Sequence, residues 1–512
     1  MAVVWVMFGA LIVAARDRKR LAEIGGVATR FGLDSLLARL GLGGGGGGEA
    51  AEPLSRRTRL ALEALGPTFV KLGQILSTRS DLLPPDWIAE LEQLQSAAPT
   101  LDFEILRPAV EAALGGRPED VFAEFEVMPL AAASIAQVHR ATLQSGAQVV
   151  VKIRRPGIRP QMEADLRLIG ELVRTAERSS AEVRRYRPQE LVRQLTEAVL
   201  AELDFTAEGR NAERFAANFA KRPAVVIPAI YWDFTSETVL VQDYLDGVAP
   251  TEARALIEAG LSPRDLAEVG AKAVLDMILV HGLFHADPHP GNLRAMPGGR
   301  LGLLDFGMVG QVSPRRRTEL VGFVQSLVSG DAQRMGEILA TWTEGADVST
   351  ERITQGAERL IGRHGQGEID LPAIVADMMA LMRQERVAAP PDLVLILKAL
   401  VTIEGVLSRV DPDFDLVSAM SGAWKSALFA GASPDAVRDR LIGLLLDLSA
   451  LRDDLPRLVR AASKRLTSPE AEPPRDLATA AAVRSAGMWI AGGLVLASLI
   501  LGGVIWLTAS AV

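Results

Sequence analysis

Hydrophobic and polar positions change their period several times along this chain, and each change marks an element. Met1–Ala15 is almost wholly apolar and is followed by Arg16, Asp17, Arg18, Lys19 and Arg20. This run is short of the roughly 20 residues that a helix needs to cross a bilayer. A secretion signal would carry basic residues ahead of its apolar run, not behind it. The segment reads either as an interfacial or partly inserted helix, or as residues that precede the true start. Gly43–Gly48 is an unbroken glycine run, which forms a flexible linker, and a new unit begins near Glu49. Helical spacing covers Ser55–Ala98, broken by Pro84-Pro85, with Asp86 placed to cap a helix over Trp87–Gln95. Between Val121 and Ile153 the period shortens. Phe122–Val127, Gln137–Thr142 and Gln148–Ile153 read as strands, with Ser145-Gly146 as a hairpin turn. Helical spacing returns at Arg159–Arg178 and Gln189–Phe219, and strand-like runs follow at Ala224–Ile227 and Thr238–Gln242. After Thr251 the pattern is mostly helical to about Leu466. A β-rich unit followed by a helical one predicts an α+β, two-lobed enzyme.

Thr467–Arg475 is rich in Pro and Glu and reads as a linker. Ser485–Val512 contains no charged residue, and within it Met488–Leu507 has the length of one transmembrane helix, roughly 20 residues. Gly492-Gly493 and Gly502-Gly503 are tolerated in such a helix. Lys464, Arg465, Arg475 and Arg484 precede the span, which places the main body on the cytoplasmic side of a bacterial-type inner membrane. The predicted organisation is an apolar start (1–20), a glycine linker (41–50), a helical extension (51–120), an N-lobe (121–245), a helical C-lobe (246–466), a linker (467–485) and a transmembrane helix (486–510).

Composition narrows the class. Of 512 residues, 49% are hydrophobic, which demands membrane or a large Ala/Leu-rich helical core. The formal net charge of -8 argues against a nucleic-acid partner. The absence of cysteine excludes disulfides, thiolate metal sites and cysteine nucleophiles. Three of the five histidines fall within Val280–Gly291, and that concentration points to a site.

His285-Ala286-Asp287-Pro288-His289-Pro290-Gly291-Asn292 is followed by Gly302-Leu303-Leu304-Asp305-Phe306-Gly307. Asp287 and Asn292 are five apart, and Asn292 and Asp305 thirteen apart, the spacing of a kinase catalytic loop and its metal-binding aspartate. Phosphoryl transfer needs Mg²⁺ held by hard oxygens, which Asn292 and Asp305 supply, and a group that orients or deprotonates the nucleophile, which Asp287 supplies. Val149-Val150-Val151-Lys152 ends the third predicted strand as the phosphate-contacting lysine strand of a kinase does, and Glu208 is its candidate carboxylate partner. The expected cofactors are ATP or ADP with Mg²⁺. Candidate nucleotide contacts are Ala131, Ala132, Ala133, Ser134, Ile135 and Ala136, together with Lys152, Gln242 and Tyr244. No G-x-G-x-x-G loop joins the first two strands. Alanine takes φ > 0 less readily than glycine, so the loop Pro129–Ala136 should be stiffer. No Ala-Pro-Glu follows Asp305, and Val312–Leu320 enters a helix directly, which leaves little platform for a protein substrate.

Taken together, these residues resemble the UbiB/AarF-type atypical kinases linked to ubiquinone biosynthesis and isoprenoid-lipid metabolism. Lys71-Leu72-Gly73-Gln74 is similar to the family's K-x-G-Q motif, Ala131–His139 to its alanine-rich loop, Lys152 to its strand lysine and Glu202-Leu203-Asp204 to its E-x-D motif. Glu208-Gly209-Arg210-Asn211 keeps the Glu and Asn of its Q-T-E-N motif, whereas Thr206-Ala207 departs from the first two letters. The resemblance runs from about Leu54 to Gly310, and more loosely to Leu466. It implies a K-x-G-Q helix folded over the site, with Lys71 and Gln74 facing the nucleotide, Lys71 near Glu202, and Lys71, Glu202 and Asp204 regulatory. It implies Mg-nucleotide binding, ATPase-like activity, a membrane lipid or an isoprenoid or quinone intermediate as partner, and a homodimer or biosynthetic complex as assembly. Family members often carry two C-terminal membrane helices; this chain shows one, which leaves dimerisation and membrane geometry open.

Two other readings compete. His285, Asp287 and His289 alternate in a segment that Pro288 and Pro290 hold extended, as the ligands of a metal-dependent hydrolase would; that reading leaves Lys152, Asn292 and Asp305 without a role. A non-catalytic pseudokinase or lipid-binding scaffold at the membrane would bind nucleotide as a structural ligand or a switch.

Overall fold

The computed structural model describes residues 17–33, 52–79, 82–94, 98–179, 188–343, 349–365, 370–385, 387, 389–414 and 416. Met1–Ala15, Gly43–Gly48, the linker at 467–485 and the apolar span Met488–Leu507 lie outside them. Among the described residues no helix is long and apolar enough to cross a membrane.

The upper lobe is built on an antiparallel sheet. Strands β1 (Phe122–Phe125), β3 (Ala136–Leu143), β4 (Gln148–Arg154) and β6 (Val239–Asp243) lie in that order, and the short β2 (Ala131–Ala132) hangs on β3. Period-2 alternation sorts β4 between two faces. Val149, Val151 and Ile153 are fully buried beneath the helix Phe103–Leu114, against Phe103, Leu106, Val110 and Val241. Val150 and Lys152 therefore face the opposite way, toward the cleft.

That second face is roofed by helices. Leu54–Leu65, Pro67–Ser77 and Pro188–Glu202 share one core with Ile135, Leu203, Phe205 and Leu240. The helix Arg18–Arg30 joins the same core through Val27 and Ala28. Its Arg20 donates from Nε to Asp165 Oδ1 at 2.6 Å, and Asp165 also accepts from the Thr68 hydroxyl at 2.9 Å. The basic residues after the apolar start are thus partly docked on the lobe.

Two local expectations are corrected here. Asp86 sits inside the first turn of the helix Pro85–Leu91, whose N-cap is Pro84. Pro85 already has the φ of a first helical residue, so the helix starts two positions earlier than expected. The continuous helix expected over Gln189–Phe219 is two, Pro188–Glu202 and Phe205–Phe219. The Asp204 side chain accepts from Thr206 N–H at 2.9 Å and starts the second as its N-cap.

The lower lobe is helical but not wholly so. Strands β7 (Leu283–His285) and β10 (Val309–Gln311) pair antiparallel, while β8 (Leu293–Met296) and β9 (Arg300–Leu303) form a hairpin that β5 (Val225–Val226) extends in parallel. Strands β7 to β10 are three or four residues long and escape a periodicity reading, whereas the two-residue β5 falls within the strand-like run Ala224–Ile227. Gly310 of β10 lies flat on Phe284, since a Cβ there would meet the ring at 2.3 Å. The helices Pro263–Leu275 and Pro391–Val410 form the centre of this lobe's core, with Leu407 packed at Gly270.

Candidate functional site

Lys152 leaves β4 on the cleft side and meets two carboxylates. Its Nζ donates to Glu208 Oε1 at 2.9 Å and Oε2 at 2.8 Å, and to Asp305 Oδ2 at 3.2 Å. Glu208 comes from the helix that Asp204 caps, one turn in. Asp305 comes from the lower lobe, so a single ammonium joins the two lobes. Burial draws the Lys152 ammonium pKa down, but Asp305 and Glu208 outweigh it and the net shift is upward. Burial pushes Glu208, only 5% exposed, up to about 7 against the pull of Lys152, and the charge of Asp305 adds to the rise. Asp305 is 40% exposed at its side chain. Desolvation raises it, but Lys152 and the Gly307 N–H, which donates to Oδ1 at 2.8 Å, hold its carboxyl well below the ordinary range. With two carboxylates sharing one cation, the more buried one is the easier to protonate.

The helix Phe205–Phe219 also grips the segment after Asp305. Asn211 Nδ2 donates to the Phe306 carbonyl at 3.0 Å, and the buried Phe306 ring lies 5.1 Å from that of Phe215. Glu208, Asn211 and Phe215 are spaced i, i+3 and i+7, so they share one face. Asn211 appeared in the sequence only as a motif letter; its role depends on where Phe306 lands.

Below the cleft, His285 Nδ1 accepts from Asp287 N–H at 3.1 Å, and burial lowers its pKa. Asn292 Nδ2 donates to the Asp287 carbonyl at 3.1 Å, while Leu304 N–H donates to the Asn292 carbonyl at 3.0 Å. The loop is thus locked to the segment that leads from β9 to Asp305, and the Asn292 amide oxygen is left for a cation. Asp305 and Asn292 present oxygens of the kind that hard cations take. A hydrolase metal centre is not assembled. The neutral His285 has its acceptor nitrogen occupied, and among the described residues no three His, Cys, Asp or Glu side chains form a metal-holding group.

Ala131 and Ala132 pair with Val138 and Gln137, and Ala133 N–H donates to the Ala136 carbonyl at 2.8 Å, closing a tight hairpin. Arg155 fastens it from below, donating from Nε to the Ala133 carbonyl and from its backbone N–H to the Ile135 carbonyl, both at 2.9 Å. Ile135 and Ala136 are buried, and Ile135 shares a core with Phe69 and Val70 of the helix Pro67–Ser77. Ser134 lies at the hairpin's turn. Gln242 is buried on the same face as Lys152 and donates to the Leu304 carbonyl at 3.2 Å, while its Oε1 is buried without a partner. Tyr244 is engaged by the sheet instead: its N–H donates to the Gln148 carbonyl at 3.0 Å, and Arg140 lies 4.3 Å over its ring.

The resemblance places Lys71 near Glu202, and the two form an ion pair across two helices. Gln74 reaches the Leu94 carbonyl at 3.5 Å, so this helix is tied to the segment after Pro85–Leu91. Glu202 and Asp204 divide their labour: one anchors Lys71, the other caps the Glu208 helix. Burial lowers the pKa of Lys398, on the helix Pro391–Val410, and the charge of Asp287 opposes that shift. No motif announced it, although it is the one charged residue between Asp392 and Glu404.

An antiparallel upper lobe, a strand lysine clasped by a helix glutamate and a catalytic-type loop below define a kinase-like protein without an ordinary activation segment. Residues 93–339 match the ABC1 atypical kinase-like domain, and residues 357–415 match the UbiB helical domain. An uncharacterized protein of Synechocystis sp. is 35% identical over 398 residues, covering 76% of this chain and 69% of that one. The chloroplastic Protein ACTIVITY OF BC1 COMPLEX KINASE 3 of Arabidopsis thaliana is 33% identical over 462 residues, 88% of this chain and 63% of that one. A solved complex of Rv3197 with erythromycin, from Mycobacterium tuberculosis, shares 23% identity at a TM-score of 0.46, over 68% of this chain and 90% of that one. The chain belongs to the ABC1/UbiB atypical kinase-like family.

Proposed function

We propose that this protein is a membrane-anchored atypical kinase or ATPase that binds ATP or ADP with Mg²⁺ between its lobes and acts on polyprenyl-lipid or quinone intermediates at the cytoplasmic face of an inner membrane. The observation that carries the reading is Lys152 held at once by Glu208 and Asp305, with Asn292 and Asp287 locked beside them. Lys152 is placed to meet phosphate oxygens from above. Asp305 and the amide oxygen of Asn292 would hold Mg²⁺, which would supply positive charge to offset that of the phosphates. Asp287 would orient, and take a proton from, an acceptor hydroxyl or a water. The unpartnered Oε1 of Gln242 is a polar atom that an incoming base would satisfy.

Two features favour a small or lipid acceptor over a peptide. Only β10 and a few residues separate Gly307 from the helix that Ser313 caps at Pro314, so no extended segment presents a substrate. The Lys71–Glu202 pair also ties the extension down beside the site. The apolar span Met488–Leu507 supplies the anchor, and a homodimer or a biosynthetic complex is the expected assembly.

The test is thermal unfolding of the full chain in detergent with ATP or ADP, with and without Mg²⁺, beside Asp305→Asn. Ligand at about 100-fold over Kd should stabilise the parent by about 2.7 kcal/mol, only with Mg²⁺, and the variant should lose the response. A parent that responds to neither nucleotide makes the scaffold reading the better one. Strong phosphorylation of a generic protein without lipid would overturn the lipid acceptor.

A further inference from the structure

Resting on the nucleotide-site reading, we propose that Gln242 selects the base: its amide oxygen accepts from an exocyclic amino group, so the site takes adenine and rejects purines that carry an oxygen at that position. Gln242 on β6 stands opposite Val150 of β4, and Lys152 follows Val150 by two residues on the same face. Gln242 is only 7% exposed.

Within the chain only its amide nitrogen is used. Nε2 donates to the carbonyl of Leu304, the residue before Asp305, at 3.2 Å, and Leu304 N–H donates in turn to the Asn292 carbonyl at 3.0 Å. A carbonyl can only accept, so the nitrogen must take that branch of the amide and the oxygen the other. Oε1 is thereby held as a fixed acceptor, buried and without a partner among the described residues. A clamp on Leu304 accounts for Nε2 and leaves Oε1 unexplained. A buried acceptor left unmade costs free energy that a bound donor recovers. The two backbone N–H groups that follow are spent on the sheet: Asp243 donates to the Ala229 carbonyl and Tyr244 to the Gln148 carbonyl, both at 3.0 Å. The Gln242 side chain is thus the polar group of this strand end that stays open to a ligand. Adenine offers a 6-amino group, whose N–H donates to such an oxygen. Hypoxanthine and guanine present a carbonyl oxygen there, and two acceptors would face each other in a buried site. The half-buried Val150 would give the flat face of the ring an apolar contact.

The experiment is a titration of the full chain in detergent with the Mg²⁺ complexes of ATP, purine riboside triphosphate and inosine triphosphate. It is read by thermal shift for the parent and for Gln242→Leu. The three nucleotides carry the same phosphates and differ chiefly at ring position 6, which holds an amino group, a hydrogen or an oxygen. The parent should bind ATP about tenfold more tightly than the purine riboside compound, and the inosine compound should be weakest. Gln242→Leu should bring the three together, whereas loss of the Leu304 clamp alone would weaken all three alike. Equal binding of the three by the parent, or an unchanged order in Gln242→Leu, would overturn the assignment and leave Gln242 a clamp. The parent comparison needs no substitution, so it decides the matter if Gln242→Leu does not fold. A parent blind to all three would instead remove the nucleotide site itself, and this inference with it.

Discussion

Glu208 is the residue on which the site's electrostatics turn. It shares one lysine with Asp305, it is the more buried of the two, and its carboxyl is pushed up to about 7 from the ordinary 4.5. A carboxyl whose folded pKa lies above its unfolded one stabilises the fold in the protonated form. That contribution is complete below about 4.5 and is lost as pH rises through 7. Asp305 runs the opposite way, so its share is lost only in strong acid. Between pH 4.5 and 7 the parent should therefore lose melting temperature relative to Glu208→Gln as pH rises. Parallel melting profiles for the two proteins would mean that Glu208 does not titrate in that window. Lys152 and Glu208 were both legible from spacing and residue type. The 3.2 Å contact that adds Asp305 to them was not, because it joins groups 153 positions apart.

Among the elements, the helix Phe205–Phe219 does the most to assemble the site. It offers Glu208 to Lys152, Asn211 to the Phe306 carbonyl and Phe215 to the Phe306 ring. Its start is set by Asp204, and helical periodicity hid that boundary because apolar spacing continues across Leu203, which is buried on the same core. Asp204→Ala should lower the unfolding free energy by about 1 kcal/mol, the usual effect of losing such a cap, and should weaken the Mg-nucleotide thermal shift. Asp204→Asn, which can still cap, should stay close to the parent in both. Equal behaviour of Ala and Asn in denaturant melts would show that the cap does not set this helix. The alanine-rich hairpin illustrates a different limit. Its stiffness was expected from alanine's aversion to positive φ, but its pinning by Arg155 and Ile135 is tertiary.

At the scale of the molecule, charges from chain segments far apart act on Lys398: Asp287 of the catalytic loop, and Lys71 and Glu92 of the extension. Arg383 adds a further link, donating to the Leu83 carbonyl at 3.3 Å across 300 positions. The proposed membrane anchor belongs to this scale too. The full chain should stay with membranes through alkaline carbonate extraction, while a chain ending after Leu466 should be released. Release of both would remove Met488–Leu507 as the anchor.

By itself the sequence determined whatever depends on local spacing: strand alternation in Gln148–Ile153, the Asp287–Asn292–Asp305 interval, the breaks at proline and glycine runs, and a β-rich lobe ahead of a helical one. These follow from backbone geometry and residue chemistry within one or two turns. Tertiary structure alone decided which charges meet. Lys152 with both Glu208 and Asp305, and Lys71 with Glu202, are contacts between elements. Their energies depend on burial and mutual distance, which no periodicity records. The short strands β7 to β10 belong with them, since three or four residues hold a strand only when a partner is already in place.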